Sequence, residues 1–351
     1  MLPGPFATQL LVDLGAEVIK VEEPNGGDYP RHMPPPLDDG LCVLFHALNR
    51  GKKSVCLDLK SSADVATFEK LCATADVVVE SFRPGVLDKL GVGPRALRQR
   101  HPRLVVCSIS GYGQDGAYRL KAGHDVNYLA RAGVLGMMRE PTLFPVQAAD
   151  LAGGAQPAVT AILAALLGRA KTGQGALVDV SMTHQVAGLL TSSYARVSAG
   201  ERDIGGGRDV LVGRVPCYGV YPCKDGFISV GSLEPKFWHG LCAALERPDL
   251  ADRGMDSDDA AADVRRILAD TFRTRTRAEW ATLLATHDVC VEPVRTPEEA
   301  IASGDFASVD VVVNGKNVTL PIPAIAIEGV TPSTAAAPAL GEHTDAVVGT
   351  L

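Results

Sequence analysis

Three short segments of the chain hold residue types that can do chemistry. They are Ala122-Gly-His-Asp-Val-Asn-Tyr128, Gln147-Ala-Ala-Asp-Leu-Ala-Gly-Gly154 and Gly231-Ser-Leu-Glu-Pro-Lys-Phe-Trp238. The first supplies an imidazole, His124, directly before a carboxylate, Asp125. The second places Asp150 ahead of an apolar stretch. The third places Glu234 before Pro235. An imidazole and a carboxylate can share general acid–base work, and a carboxylate can also act as a nucleophile. Each segment has a structural reading as well. A histidine beside an aspartate suits a turn or a cap. Asp150 suits the N-cap of the apolar helix that follows it. Glu234-Pro235 suits a helix start, where negative charge meets the helix dipole and proline sacrifices no needed donor.

Positioning such groups requires a rigid frame, and the first half of the chain predicts one. Apolar residues at helical spacing predict a helix over 5–14, stopped by Gly15. Strands are predicted at 17–22, 54–58, 76–80 and 104–110. A helix over 61–75 separates two of them, with Ser61 or Ser62 as its cap. Strands alternating with helices indicate a Rossmann-like, mainly parallel sheet in an α/β large domain, residues 1–200. Within it, 151–170 reads as a buried helix downstream of Asp150, 176–180 as a strand and 181–200 as a helix. Residues 201–214, rich in Gly, Arg and Asp, read as a linker. Residues 215–305 read as a smaller α+β domain. It opens on a hairpin around Asp225-Gly226 and continues with helices near 235–246, 259–272 and 277–287. A second hairpin is predicted around Asn314-Gly315, and 306–351 is expected to return to the large domain. The chain opens almost directly on a helix, so a preceding strand is expected upstream.

Bulk properties narrow the function classes. The 351 residues suffice for one large domain or two unequal ones. The net charge of -7 provides no global basic field for nucleic acid, although a local basic pocket for a phosphorylated ligand is compatible with it. The eight cysteines form no C-x-x-C pair, which argues against a zinc ribbon or a thioredoxin-type site. No metal is expected. No apolar run reads as the roughly 18 residues of a membrane span, and no secretory leader is visible at the start. The expectation is a cytoplasmic enzyme, with an organelle matrix left open, and no membrane partner.

Several motifs in shared order resemble the family III CoA-transferases, a superfamily that includes the α-methylacyl-CoA racemases. They are Pro3-Gly-Pro5 with Leu14-Gly-Ala-Glu-Val-Ile-Lys-Val-Glu22, Asn49-Arg-Gly-Lys-Lys53 with Leu57-Asp-Leu-Lys60, and Phe82-Arg-Pro-Gly-Val86. Leu90-Gly-Val-Gly93, Ser110-Gly-Tyr-Gly-Gln114, Val178-Asp-Val-Ser-Met182 and Leu340-Gly-Glu-His-Thr344 follow. The Gly-His-Asp-x-Asn-Tyr run at 123–128 and the Leu-Glu-Pro-x-Phe run at 233–237 resemble the racemase branch. Glu23 departs from that branch, which carries an arginine there. So does the run Pro145-Val-Gln-Ala-Ala-Asp150, which lacks an asparagine.

This resemblance implies epimerisation of a 2-methylacyl-CoA by proton transfer through an enolate. His124 would take the α-proton of one epimer and Asp150 that of the other. Glu234 would hold the His124 tautomer, and amides at the start of the Asp150 helix would face the enolate oxygen. Asp125 and Tyr128 would sit beside the thioester. Asp58 and Lys60 would lie near the adenosine of CoA, with Arg83 and Lys89 near its phosphates. No cofactor beyond the CoA of the substrate is implied. The architecture implied is an interlocked homodimer in which Glu234 comes from the partner. The alternative is a CoA-transferase with Asp150 as the nucleophile that carries CoA.

Overall fold

The computed structural model describes residues 2–34, 36, 40, 42–313, 315–322, 325 and 327–351. The chain begins with helix α1 (Pro3–Asp13), whose prolines fall at the tolerant first turn. Strand β1 (Ile19–Glu22), helix α2 (Val43–Asn49) and strand β2 (Lys53–Cys56) follow. Helix α3 (Ser62–Thr74) starts at Ser61, whose side chain accepts the Asp64 amide. Strand β3 (Val77–Glu80), helices α4 (Val86–Lys89) and α5 (Pro94–Arg100) and strand β4 (Val105–Ser110) come next. Helices α6 (Asp125–Arg131), α7 (Val134–Met137), α8 (Ala148–Asp150) and α9 (Gln156–Thr172) precede strand β5 (Leu177–Ser181).

The predicted helix over 181–200 is two helices, α10 (Met182–Leu189) and α11 (Thr191–Ser198). Strands β6 (Tyr218–Cys223) and β7 (Gly226–Gly231) form the expected hairpin. Helices α12 (Pro235–Ala244), α13 (Asp258–Phe272) and α14 (Arg277–Leu284) follow. The last elements are β8 (Val291–Pro293), α15 (Pro297–Ala302), β9 (Ser308–Val313), β10 (Lys316–Pro321) and α16 (Thr344–Val348). The β9–β10 pair is antiparallel as expected. Gly315 of its predicted turn has φ +78°, a conformation natural to glycine, while Asn314 lies outside the described residues.

The chain divides into two compact units. The first comprises 1–132, 144–190 and 306–351. Its strands form two parallel ladders, β1–β2 and β3–β4–β5, in agreement with the α/β class, together with the antiparallel β9–β10 pair. Every residue of β4 is buried, as a central strand covered on both faces requires. Val55, Leu57, Phe68, Leu71, Leu97 and Val106 form one core, closed by Val347, Val348 and Leu351 from the C-terminal segment. That segment also bonds the early chain: Arg31 donates to the Pro338 carbonyl, and the His343 amide donates to the Ser54 carbonyl.

The second unit comprises 133–143 and 191–305. Residues 133–143 and 191–200 were expected in the large domain and belong here instead. The reason is direct for the first piece: the amides of Gly206 and Gly207 donate to the carbonyls of Gly136 and Met137, each at 2.8 Å. This unit packs β6, β7 and β8 with α12, α13 and α14 around Ile228, Trp238, Leu241, Phe272 and Trp280. β8 has only three residues and ends in proline, too short a run for a periodicity argument.

One sequence expectation is corrected. Ala148–Thr172 is a continuous helical run of 25 residues with an 18-residue window of mean hydropathy 1.5, long and apolar enough to cross a membrane by length and composition. Residues 151–170 are expected to be a buried helix, but only 33% of that apolar window is buried and Leu163 and Leu167 are exposed. In this unit the run packs on α1, α10, β4 and β5.

Candidate active site

Asp150 lies inside a helix and does not cap one. Its backbone is helical, at φ -68° and ψ -42°, and its side chain makes no capping bond. The N-cap reading of Asp150 is therefore wrong for this fold. The helix begins one turn earlier than the apolar run suggests. Immediately after Asp150, Leu151–Ala155 widens into a π-helical turn before α9 resumes. Such turns bulge the backbone and recur at functional sites. A Cβ at Gly153 would meet Val186 Cγ1 at 2.7 Å and the Met182 carbonyl at 3.0 Å, so glycine here lets α10 approach the turn.

The Asp150 carboxyl is half-buried, and among the described residues no donor is bonded to it. Burial and the negative charge of Asp125 push its pKa up to about 6, while the N-terminal amino group and His124 act in the opposite sense. His124 is therefore an electrostatic neighbour of Asp150. It stands at the N-cap position of α6, solvent-facing, with its amide donating to Asn127 Oδ1 at 3.0 Å. Asn127, in the Gly-His-Asp-x-Asn-Tyr run, thus caps the start of α6 from three residues on, the usual reach of a cap.

Two side chains of this segment are tied to the backbone. Asp125 Oδ1 accepts the amides of Ala149 at 2.6 Å and Asp150 at 3.0 Å. Those amides were expected to face an enolate oxygen, but Asp125 already holds them. Tyr128 was expected beside the thioester. Its hydroxyl donates to the Gly123 carbonyl at 2.6 Å, and its ring meets Tyr112 edge-on at 5.2 Å. A Cβ at Gly111 would lie 2.6 Å from the ring, so only glycine admits this packing. Burial, with the charge of Asp150, pushes the Tyr128 hydroxyl up to about 12, and Arg83 opposes the rise. Tyr128 thus acts as a brace under the loop that presents His124.

Of the remaining predicted residues, Asp58, Lys60 and Arg83 follow strand ends of the first unit, where open α/β sheets place ligands. Asp58 and Lys60 follow the carboxyl end of β2, and Asp58 Oδ1 accepts the Lys60 amide at 3.0 Å. Arg83 follows β3 and is exposed, and its influence on Tyr128 puts it near the His124 loop. The segment after β3 that carries Arg83 is shaped by Glu80, which accepts the Phe82 amide at 2.8 Å. Lys89 ends α4 and is exposed. Glu234 belongs to the second unit. It stands at the N-cap position of α12, exposed, with no capping bond from its side chain.

Residues 1–344 match the model of CoA-transferase family III. The chain belongs to that family. It is an enzyme of family III, and an acyl-CoA substrate fits the family. Human α-methylacyl-CoA racemase is 34% identical, with 99% of this chain and 89% of that protein covered. Human succinyl-CoA:glutarate CoA-transferase is 30% identical, covering 98% of this chain and 82% of that protein. Among solved structures, a CaiB/BaiF family protein from Brucella suis superposes with a TM-score of 0.86 at 28% identity, covering 99% of this chain and 95% of that one. Both activities thus occur among the family III relatives of this chain.

Proposed function

We propose that this family III enzyme epimerises a 2-methylacyl-CoA by 1,1-proton transfer, with His124 and Asp150 as the acid–base pair. One group removes the α-proton. The C–H electron pair moves into the enolate and its charge collects on the thioester oxygen. The other group then delivers a proton to the opposite face, so atoms and charge balance without oxidant, metal or cofactor beyond the substrate's CoA. The observation that carries this reading is the half-buried Asp150 carboxyl, which accepts no hydrogen bond among the described residues and is raised to about 6 beside His124. A carboxyl so placed can serve as acid or base near neutral pH, and an imidazole suits the other half of the exchange. The sign is specific. Proton removal by Asp150 slows as pH falls through about 6, and proton delivery by Asp150 slows as pH rises through it.

Asp58, Lys60, Arg83 and Lys89 are assigned to CoA, because its phosphates require cations and three of these are exposed basic side chains. The partner subunit's Glu234 is assigned to hold the His124 tautomer in an interlocked homodimer. The test is α-proton exchange in deuterated water with a 2-methylacyl-CoA. Exchange is expected, and His124→Ala or Asp150→Asn should slow it roughly 10²- to 10⁴-fold. A folded, CoA-binding protein that exchanges no proton ends this reading. The human transferase relative motivates the rival, in which Asp150 becomes an aspartyl-CoA thioester. Hydroxylamine trapping at Asp150, with His124→Ala still active, would establish that rival instead.

A further inference from the structure

We infer that Asp125 is a positioning residue, a clamp that fixes the Asp150 carboxyl relative to His124 by holding the first amides of the Asp150 helix. The inference rests on the proton-transfer reading above. A helix start leaves backbone N–H groups without partners, and a local side chain usually accepts them. Here the local candidate, Gln147, makes no capping bond. The acceptor comes instead from 24 and 25 residues away, where Asp125 Oδ1 takes both the Ala149 and the Asp150 amide. Asp125 directly follows His124 and opens α6. One side chain therefore joins the two elements that carry the reacting groups.

A neutral oxygen would satisfy those amides. A carboxylate adds a second effect, because like charges close together resist joint ionisation. The elements packed on α8 are α6, α10 and the π-helical turn. Their titratable and charged groups are His124, Asp125, Tyr128 and Arg131 on α6 and His184 on α10, and the turn has none. Burial raises Asp150 most and Asp125 raises it further, while the N-terminal amino group and, less strongly, His124 lower it. Asp125 thus places the carboxyl and adds to the effect of burial that keeps it protonatable. Its clamping oxygen is committed to the chain, so its role differs from that of a thioester contact.

Two variants separate the effects. Asp125→Asn leaves an oxygen for both amides and removes the charge, whereas Asp125→Ala removes both. Asp150 is titrated by carbon-13 NMR in the unliganded protein, and exchange kinetics are followed against pH. In Asp125→Asn the Asp150 midpoint is expected to fall from about 6 toward the ordinary aspartate range, and the pH–rate profile should move down with it. Proton delivery by Asp150 at pH 7.5 should drop on the order of tenfold, with KM within about twofold. Asp125→Ala should lose further in kcat at similar KM. An unchanged midpoint and profile in a folded Asp125→Asn overturns the inference, as does a loss confined to KM. If the midpoint falls while the wild-type protein exchanges no α-proton, the clamp stands and the proton-transfer reading falls.

Discussion

The first unit holds a carboxylate at the end of β1 and another at the end of α8, and it treats them in opposite ways. Glu22 has a side chain only 1% exposed and is saturated with donors. It accepts Arg31 Nε at 2.9 Å and Arg31 Nη2 at 2.7 Å, Ser54 Oγ at 2.7 Å and the Asp28 amide at 3.0 Å. Burial pushes Glu22 up, but these partners outweigh it, and its carboxyl lies below the usual range. Asp150 is less buried, has no such donors among the described residues, faces Asp125, and lies above the usual range. Saturation turns a buried carboxylate into an anchor. Withholding donors leaves it able to take and give a proton, at a cost in stability.

The largest effect should come from breaking the anchor. Arg31→Ala strands Glu22 without its guanidinium, and its own stacking over the Phe45 ring at 4.0 Å is lost. Urea unfolding should show a loss of about 3–5 kcal/mol. Because the folded pKa of Glu22 is lowered, its contribution is present above the unfolded pKa and declines as pH falls through the folded one. A cost well under that range would mean Glu22 is no anchor.

The opposite sign is expected at Asp150. Its folded pKa lies above the unfolded value, so ionisation penalises the fold at pH 8 and the penalty vanishes below the unfolded pKa. Asp150→Asn should therefore stabilise the protein at pH 8 by about 2 kcal/mol after solvent screening, and by little at pH 4. Thermal melts at both pH values check this, and equal shifts would dissolve the contrast. The smallest effect concerns a neutral donor next to the site. Tyr128→Phe removes the bond to the Gly123 carbonyl and should cost about 1 kcal/mol in the same melts. A larger loss would place part of the anchoring in the His124 loop as well.

Much of the frame was legible because its signals are local. The valines of β3 and the buried run of β4 read as strands, Ser61 read as a cap, and the hairpin read around Asp225-Gly226 turns one residue earlier, at Lys224-Asp225. The chemistry-bearing types at 124, 125 and 150 were legible as types. Their duties were less so. Asp150 read equally well as an N-cap, because a carboxylate before an apolar run carries no mark of whether the helix has already begun. The membership of 133–143 in the second unit depends on bonds to 206 and 207, which no periodicity encodes.

By itself, then, the sequence determined the α/β class, the family motifs and the identity of the groups available for proton transfer. These depend on side-chain type and on spacing within a few residues. The tertiary structure alone decided that the Ala149 and Asp150 amides are closed by Asp125, and that Tyr128 braces the His124 loop. It also decided that, among the described residues, no donor is bonded to the half-buried Asp150 carboxyl while Glu22 accepts four hydrogen bonds. The physical reason is that desolvation and hydrogen-bond saturation belong to the space around a group. That space is filled by residues distant in the chain.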